Sequence, residues 1–341
     1  PTTLTASGTQ PLPLAGLPGS GPTPLYRAEV PIYAEMPAVA RQLGIQQLDN
    51  FHDRQGEQSL LTGDGRVPAA WGRIWGGHSS QQQDGTVSPK FDGSISGLQT
   101  GLDLYADSDG SGHRNRYGVF VGFARASGNI DGFAMGAAEL AVGNLTVDAY
   151  SLGGYWTHIG PGGWYTDAVL MGSSLSADTN SRDGLAATVH GKAVSGSIEG
   201  GWPIFLNANL TFEPQAQMIW QKASINDLDD AVSRVAFNSG STFLGRVGAR
   251  LQGRFETPGV VWQPYMRLSV LRNFGTSDKA IFGSMTAITT GVTDTAIQIN
   301  AGLVAKVSKS TSAFVTAGYT ANLRGTRQRV MIANAGLRWT W

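Results

Sequence analysis

Residues 329–341 carry two unlike faces on one short stretch. Met331, Ala333, Ala335, Leu337, Trp339 and Trp341 fall on one parity, and Asn334, Gly336, Arg338 and Thr340 on the other. A strand sends successive side chains to opposite faces, so this one has an apolar face and a polar, charged face. Two tryptophans at the far end of the apolar face suit a membrane–water interface. On this stretch alone, the edge strand of a soluble β-sandwich is the competing reading, and the upstream segments must decide.

From Pro68 onward the same period of two repeats. Candidate strands are 69–80, 91–106, 114–129, 144–159, 163–178, 185–201, 209–223, 241–256, 260–274, 294–307, 312–323 and 330–341. These are about twelve strands of roughly 10–18 residues, well beyond the ~5–6 residues typical of soluble domains. In 209–223, Leu210, Phe212, Ala216, Met218 and Trp220 oppose Thr211, Glu213, Gln215, Gln217 and Gln221. In 241–256, Val247, Ala249, Leu251 and Phe255 oppose Arg246, Arg250, Gln252 and Arg254. In 260–274, Trp262, Met266, Leu268 and Val270 oppose Gln263, Arg267 and Ser269. One face is apolar and the other regularly studded with arginine. Tyr117–Arg125 alternates poorly, and its faces are not assignable. Short connections such as 160–162 and 308–310 alternate with long ones such as 224–240 and 275–293, the asymmetry of an outer-membrane barrel.

Composition sets few further limits. No run of about 18 apolar residues exists, so no transmembrane helix is expected. The mean hydropathy of −0.11 fits a barrel as well as a soluble protein, because lipid-facing and lumen-facing residues cancel. The formal net charge of +0 gives no bulk attraction to nucleic acid. With Cys 0, disulfides and thiolate metal sites are excluded, as suits an exported chain that must stay threadable. No charged and apolar leader precedes Pro1, so an upstream signal is expected to lie outside the sequence or to have been removed.

The segment ahead of the strands divides in two. Residues 1–31 are rich in Pro, Gly, Thr and Ser and read as a flexible linker with something attached upstream. Residues 32–67 form a pore-helix segment, in which Met36, Val39, Leu43, Leu48 and Phe51 recur at helical spacing. Pro37 suits a first helical turn, and Gly44 is expected to weaken or break the helix. The part after Ile45 is rich in Gln, Asp, His and Arg with a thin apolar stripe. The expectation is a polar helix inside a polar barrel lumen; a helix laid across the end of a sandwich is the alternative.

With these elements in place, the sequence resembles the translocator domain of a monomeric autotransporter (type Va secretion). The matching stretches are Tyr26-Arg-Ala-Glu-Val-Pro-Ile-Tyr-Ala-Glu-Met-Pro37, His52-Asp-Arg-Gln-Gly-Glu57, Ala70-Trp-Gly-Arg73, Gly153-Gly-Tyr-Trp-Thr157, Phe212-Glu-Pro-Gln215, Leu244-Gly-Arg-Val-Gly248, Gln263-Pro-Tyr-Met-Arg267 and Asn334-Ala-Gly-Leu-Arg-Trp-Thr-Trp341. Each is weak alone; their order and spacing are specific. The resemblance implies an all-β, twelve-stranded antiparallel barrel (68–341) in the Gram-negative outer membrane. It also implies a helix in the pore and a passenger domain attached ahead of Pro1. The β-barrel assembly machinery and periplasmic chaperones would be its partners, with Leu337, Trp339 and Trp341 as the assembly signal. Outer-membrane lipid and lipopolysaccharide would surround a monomer. No cofactor and no metal are expected.

Some members of that family cut their passenger free inside the pore through an Asn side chain aided by acids on the barrel wall. Counting back from Arg54-Gln-Gly56-Glu57, the bond would be Asp49-Asn50. The attacked carbonyl then belongs to Asp49, and an ionised Asp is a poor route to a cyclic imide, so an uncleaved plug is the expectation. If cleavage occurred, Glu213, Glu199 or Asp167 would supply the acidic wall. The lumen bases Arg246, Arg250, Arg254, Arg267 and Arg338 are expected to hold Asp49, Asp53 and Glu57, though such buried pairs position more surely than they stabilise. His52, His78, His113, His158 and His190 lack metal spacing and read as turn, loop or interface residues. Asp107-Ser-Asp109-Gly110 resembles the start of a calcium loop without its later ligands and reads as a hairpin turn.

Two other functions stay open at this point. One is a barrel enzyme, a protease or lipase with Ser108, His113 and the 227–230 acids at its rim. The other is a general porin.

Overall fold

The structure, a computed structural model, describes residues 11–12, 23–61, 63–274, 277–283, 285–291 and 295–341. Most of the 1–31 linker, and parts of the long connections expected at 275–293, lie outside these.

Twelve long strands form one antiparallel sheet that closes on itself. They are Gly65–Gln82 (β1), Lys90–Ser108 (β2), Arg114–Ala134 (β3), Ala137–Ile159 (β4), Tyr165–Ser181 (β5), Ala186–Gly201 (β6), Leu210–Ile225 (β7), Ser241–Gly253 (β8), Val260–Phe274 (β9), Thr295–Lys306 (β10), Thr311–Arg324 (β11) and Gln328–Thr340 (β12). Each pairs with its sequence neighbours, and β12 pairs with β1 from Thr340↔Ala69 to Gln328↔Gln81. The closing pair removes both edges, which is how a barrel avoids an unpaired ladder in lipid.

Parity decides the two surfaces. Ile74, Leu152, Leu170, Val247, Met266 and Met331 stand exposed on the outside. Such a continuous apolar belt is foreign to a soluble monomer and natural in lipid. Around the short turns the belt ends in aromatics, among them Trp164 stacked on Trp202 and the exposed Trp339 and Trp341. Toward the long loops, β3 and β4 outlast the belt and carry polar cross-strand pairs outside, such as Arg125 Nε to Asp148 Oδ1 at 2.6 Å and Asn144 Nδ2 to Asn129 Oδ1 at 2.6 Å.

A helix, Glu29–Leu48 (α1), enters the lumen at the long-loop end. A short second helix, Phe51–Gln55 (α2), and a 3-10 turn, Gln58–Leu60, continue it toward the short-turn end. The helix starts earlier than 32, and residues 26–30 are already buried, so the linker reading fails there. Pro37 sits inside α1 rather than in its first turn. Gly44 does not break the helix either. A Cβ there would collide with the Gln221 amide of β7 and press on Ser195 Oγ at 3.4 Å; the glycine lets the helix lie close to the wall.

The lumen is not uniformly polar. Tyr26, Val30, Ile32, Met36, Val39 and Leu43 join one apolar cluster with Phe91, Ile95, Ala124, Ile130, Val147 and Leu175 of the wall. This explains the poor alternation of 114–129: Phe120, Ala124, Ala126 and Ile130 face the helix, while Val119, Val121 and Phe123 face outward. Both faces of β3 are apolar, so parity had nothing to separate.

The long connections have structure of their own. Segments Asp84–Gly85, Leu228–Asp229, Arg234–Ser239, Ser277–Phe282 and Thr286–Gly291 form a second, five-stranded sheet. It lies over α1, with Val235, Ala280, Phe282 and Ile288 in the same apolar cluster.

Candidate functional site: the plugged pore

The bend between α1 and α2 organises the lower lumen. Asp49 ends α1 with φ 47, a left-handed conformation uncommon for a residue with a side chain. Asn50 then caps α2: its Oδ1 accepts from Asp53 N at 3.1 Å, the usual N-cap bond. Its Nδ2 donates to Asp49 Oδ1 at 3.0 Å and also to the Asp53 carboxylate. Gly56, at φ 83, ends α2 where only glycine turns left without strain.

Asp53 is the hub. Its carboxylate receives Arg267 Nη2 at 2.6 Å, Tyr265 Oη at 3.0 Å and Thr316 Oγ1 at 3.2 Å. Its carbonyl accepts from Asn334 Nδ2 at 2.6 Å and Arg73 Nη1 at 3.2 Å. Strands β9, β11, β12 and β1 therefore converge on one residue of α2. Arg73 also reaches Asp49 Oδ2 at 2.9 Å and the carbonyls of Gln46 and Gln47 at 3.0 and 2.7 Å, satisfying the open C-terminal end of α1.

The other wall groups surround this centre. Arg54 Nη2 lies 2.5 Å from Asp167 Oδ2, and Thr157 Oγ1 donates to the same carboxylate at 2.6 Å. His52 Nε2 lies 2.8 Å from Glu213 Oε1, with Nδ1 at 3.0 Å from Gly56 O. Arg250 Nη1 donates to Glu57 Oε2 at 2.6 Å. Glu199 accepts from Phe51 N at 3.0 Å, Arg246 Nη2 at 3.1 Å and Tyr165 Oη at 2.8 Å. Arg338 bonds the Asp103 carboxylate and reaches Gln55 Oε1 at 3.3 Å.

The expected lumen residues thus gather around α2, with one correction. Arg254 follows the last residue of β8, stands exposed, and pairs with Glu256 at 2.8 Å. Strand parity does not extend into the hairpin connection. Arg246 and Arg338 also differ in detail, since their carboxylate partners are Glu199 and Asp103 of the wall and not acids of the helix. Asp103, Arg116, Tyr155 and Arg73 are site residues that the sequence reading does not assign. Parity carries the signal for the first two, since Asp103 and Arg116 sit on lumen-facing positions of β2 and β3.

Elsewhere the chemistry-bearing residues separate. Ser108 and His113 belong to the β2–β3 turn, whereas Asp229 and Asp230 belong to the second sheet at the opposite end, so the rim residues of the enzyme reading do not meet. Asp109 closes a hairpin turn. Hydrogen bonds from the Ser111 hydroxyl and the His113 N–H hold its carboxyl below the usual carboxylate range. His113 and His158, distant in sequence, lie 3.1 Å apart between ring nitrogens. Among the described residues no group of three or more His, Cys, Asp or Glu is arranged for a metal.

A family model for the autotransporter beta-domain matches residues 70–318. The pertactin autotransporter of Bordetella bronchiseptica is 28% identical over 286 residues, covering 80% of this chain and 29% of that protein. The chain therefore spans less than a third of the curated relative's length. Two solved structures share the fold: the β domain of the Bordetella autotransporter BrkA, with TM-score 0.63, 24% identity and coverage of 81% of this chain and 100% of that one, and the transport unit of AIDA-I from Escherichia coli, with TM-score 0.72, 17% identity and coverage of 93% and 100%. A closed twelve-stranded barrel with a helix in its lumen, matched over most of its strands, belongs to the autotransporter beta-domain family, the outer-membrane translocators of Gram-negative bacteria.

Proposed function

We propose that this domain anchors and exports a passenger attached ahead of Pro1, and that α1 and α2 then remain as its plug. The observation that carries the reading is the convergence of four strands on Asp53, which fixes a polar helix inside a pore it fills. Long loops face the exterior in such barrels and short turns the periplasm. The amino-terminal end of α1 points to the exterior, where an exported chain emerges. Assembly by the β-barrel assembly machinery, with chaperones before it, fits the outward Leu337, Trp339 and Trp341. A reporter domain fused ahead of Pro1 tests this reading. It is expected to become accessible to protease added outside intact cells; a reporter that stays in the periplasm overturns it.

The plug is uncleaved in this reading. Both heteroatoms of the Asn50 side chain are engaged, and Asp49 is tied to Arg73 at 2.9 Å. The Asp49 carbonyl does accept from Gln217 Nε2 at 2.6 Å, but the Asn50 side-chain nitrogen that would attack it is held by the carboxylates of Asp49 and Asp53. The mass of the fusion after assembly tests this: an intact chain is expected, and a barrel fragment beginning at Asn50 contradicts it.

A further inference from the structure

An apolar groove lies outside the barrel, over the seam where β12 closes on β1. Its volume is about 940 Å³. The register aligns Leu337 with Gly72, Trp339 with Ala70 and Ala335 with Ile74, and on the far side Ala313 with Leu337. Ala70, Gly72, Ala313 and Ala335 are the floor. Ile74, Leu337 and Trp339 stand as exposed walls. Small residues also occur at other outward positions, such as Gly172 and Ala216, and a smaller groove of about 480 Å³ lies beside Gly200, Pro214 and Ala216; at the seam four small residues adjoin across three strands and leave this trench.

We propose that this trench is a binding site for the acyl chains of one phospholipid from the periplasmic leaflet. Its position selects the leaflet, because it runs from Trp339, beside the β10–β11 short turn, only as far as Ile74. Burial against lipid tails offers no hydrophobic gain, so selection must come from packing. A void beside small side chains loses its dispersion partners, and a chain laid in the trench restores them. Two exposed cations flank the short-turn end, with Asp64 near one of them. Lys309 lies two residues before Thr311, which lines the groove, and Arg66 lies four before Ala70. Both are exposed, and neither makes an ion pair among the described residues. The seam pairs the first strand with the last, and the bound lipid packs over it.

The test uses the complete chain, purified in detergent, stripped of lipid and titrated with a diacyl phosphatidylglycerol under native mass spectrometry. A Cβ at Gly72 would meet nothing nearer than Gln99 O at 3.6 Å, so Gly72→Leu fills the trench without disturbing the wall. Heat-modifiable electrophoretic mobility checks that the barrel is intact, and Ala70→Phe serves as a second filler. The expected result is one retained lipid with the unaltered chain, about ten-fold weaker retention in both filled variants, and a smaller loss in Lys309→Glu with Arg66→Glu. Equal retention in the filled variants, or retention of detergent alone, overturns the site.

Discussion

Above Gly44 the pore helix is gripped mainly by apolar side chains; below it, mainly by charge. The upper half packs Val30, Ile32, Met36 and Val39 against alanines, valines and leucines of the wall and against the second sheet. Tyr33 stacks on Phe282 of that sheet, with centroids 6.2 Å apart and planes at 20°. Even so, polar ties fix its register. Arg41 bonds the Asp278 carboxylate, Arg27 reaches Asp230 at 3.0 Å, and Gln83 Nε2 donates to Glu35 at 2.5 Å. The lower half instead alternates acids and bases with the wall. Apolar packing is non-directional and tolerates small displacement, whereas a hub such as Asp53 accepts one geometry. The contrast assigns apolar adhesion, with a few registering ties, to the upper half and a dense positional network to the lower.

That division is breakable. The largest effect is expected from Arg267→Ala, which leaves Asp53 buried without its main charge partner. Removing one member of a buried pair costs about 3–5 kcal/mol, read as a rise in open-channel occupancy. Arg267→Met with Asp53→Asn removes both charges, and the double-mutant cycle should recover much of the loss. Next is Phe282→Ala, which truncates a fully buried side chain at a cost of about 3–5 kcal/mol, felt by the second sheet and the upper half of the helix rather than by the lower pore. It should increase proteolysis of the 277–282 segment in intact cells while leaving lower-half register unchanged. Gly44→Ala overpacks the helix against Gln221, an error of about 1–3 kcal/mol, and should raise current noise without opening the pore. The smallest effect is expected from Asn50→Ala, loss of a cap worth about 0.5–2 kcal/mol, seen as faster amide exchange confined to α2. Equal responses of both halves to Arg267→Ala and Phe282→Ala would erase the distinction.

Much of the barrel was legible because parity carries it. Long alternating strands and the short and long connections between them follow from period two, and the closure of the last strand on the first follows from the barrel that the resemblance implies. What parity could not carry is also clear. β3 has two apolar faces, so its orientation depends on a helix far away in sequence. Gly44 looks like a breaker until Gln221 is in view. Arg254 keeps the lumen parity on paper but lies past the last ladder bond of β8. The second sheet arises from short segments that pair only because the barrel brings their ends together, and no local signal announces that. Around α2, residue type and parity pointed to Glu57, Arg250 and Arg267, but the hub at Asp53 needed contributions from β1, β9, β11 and β12 at once.

The central claim is that α1 and α2 obstruct the pore. Single-channel conductance in planar bilayers, comparing the complete chain with one lacking residues 1–58, tests it most directly. The account predicts a small, flickering current for the complete chain and a large, steady one after the deletion. Equal conductance in both would contradict it, since a helix whose removal changes nothing is not filling the pore.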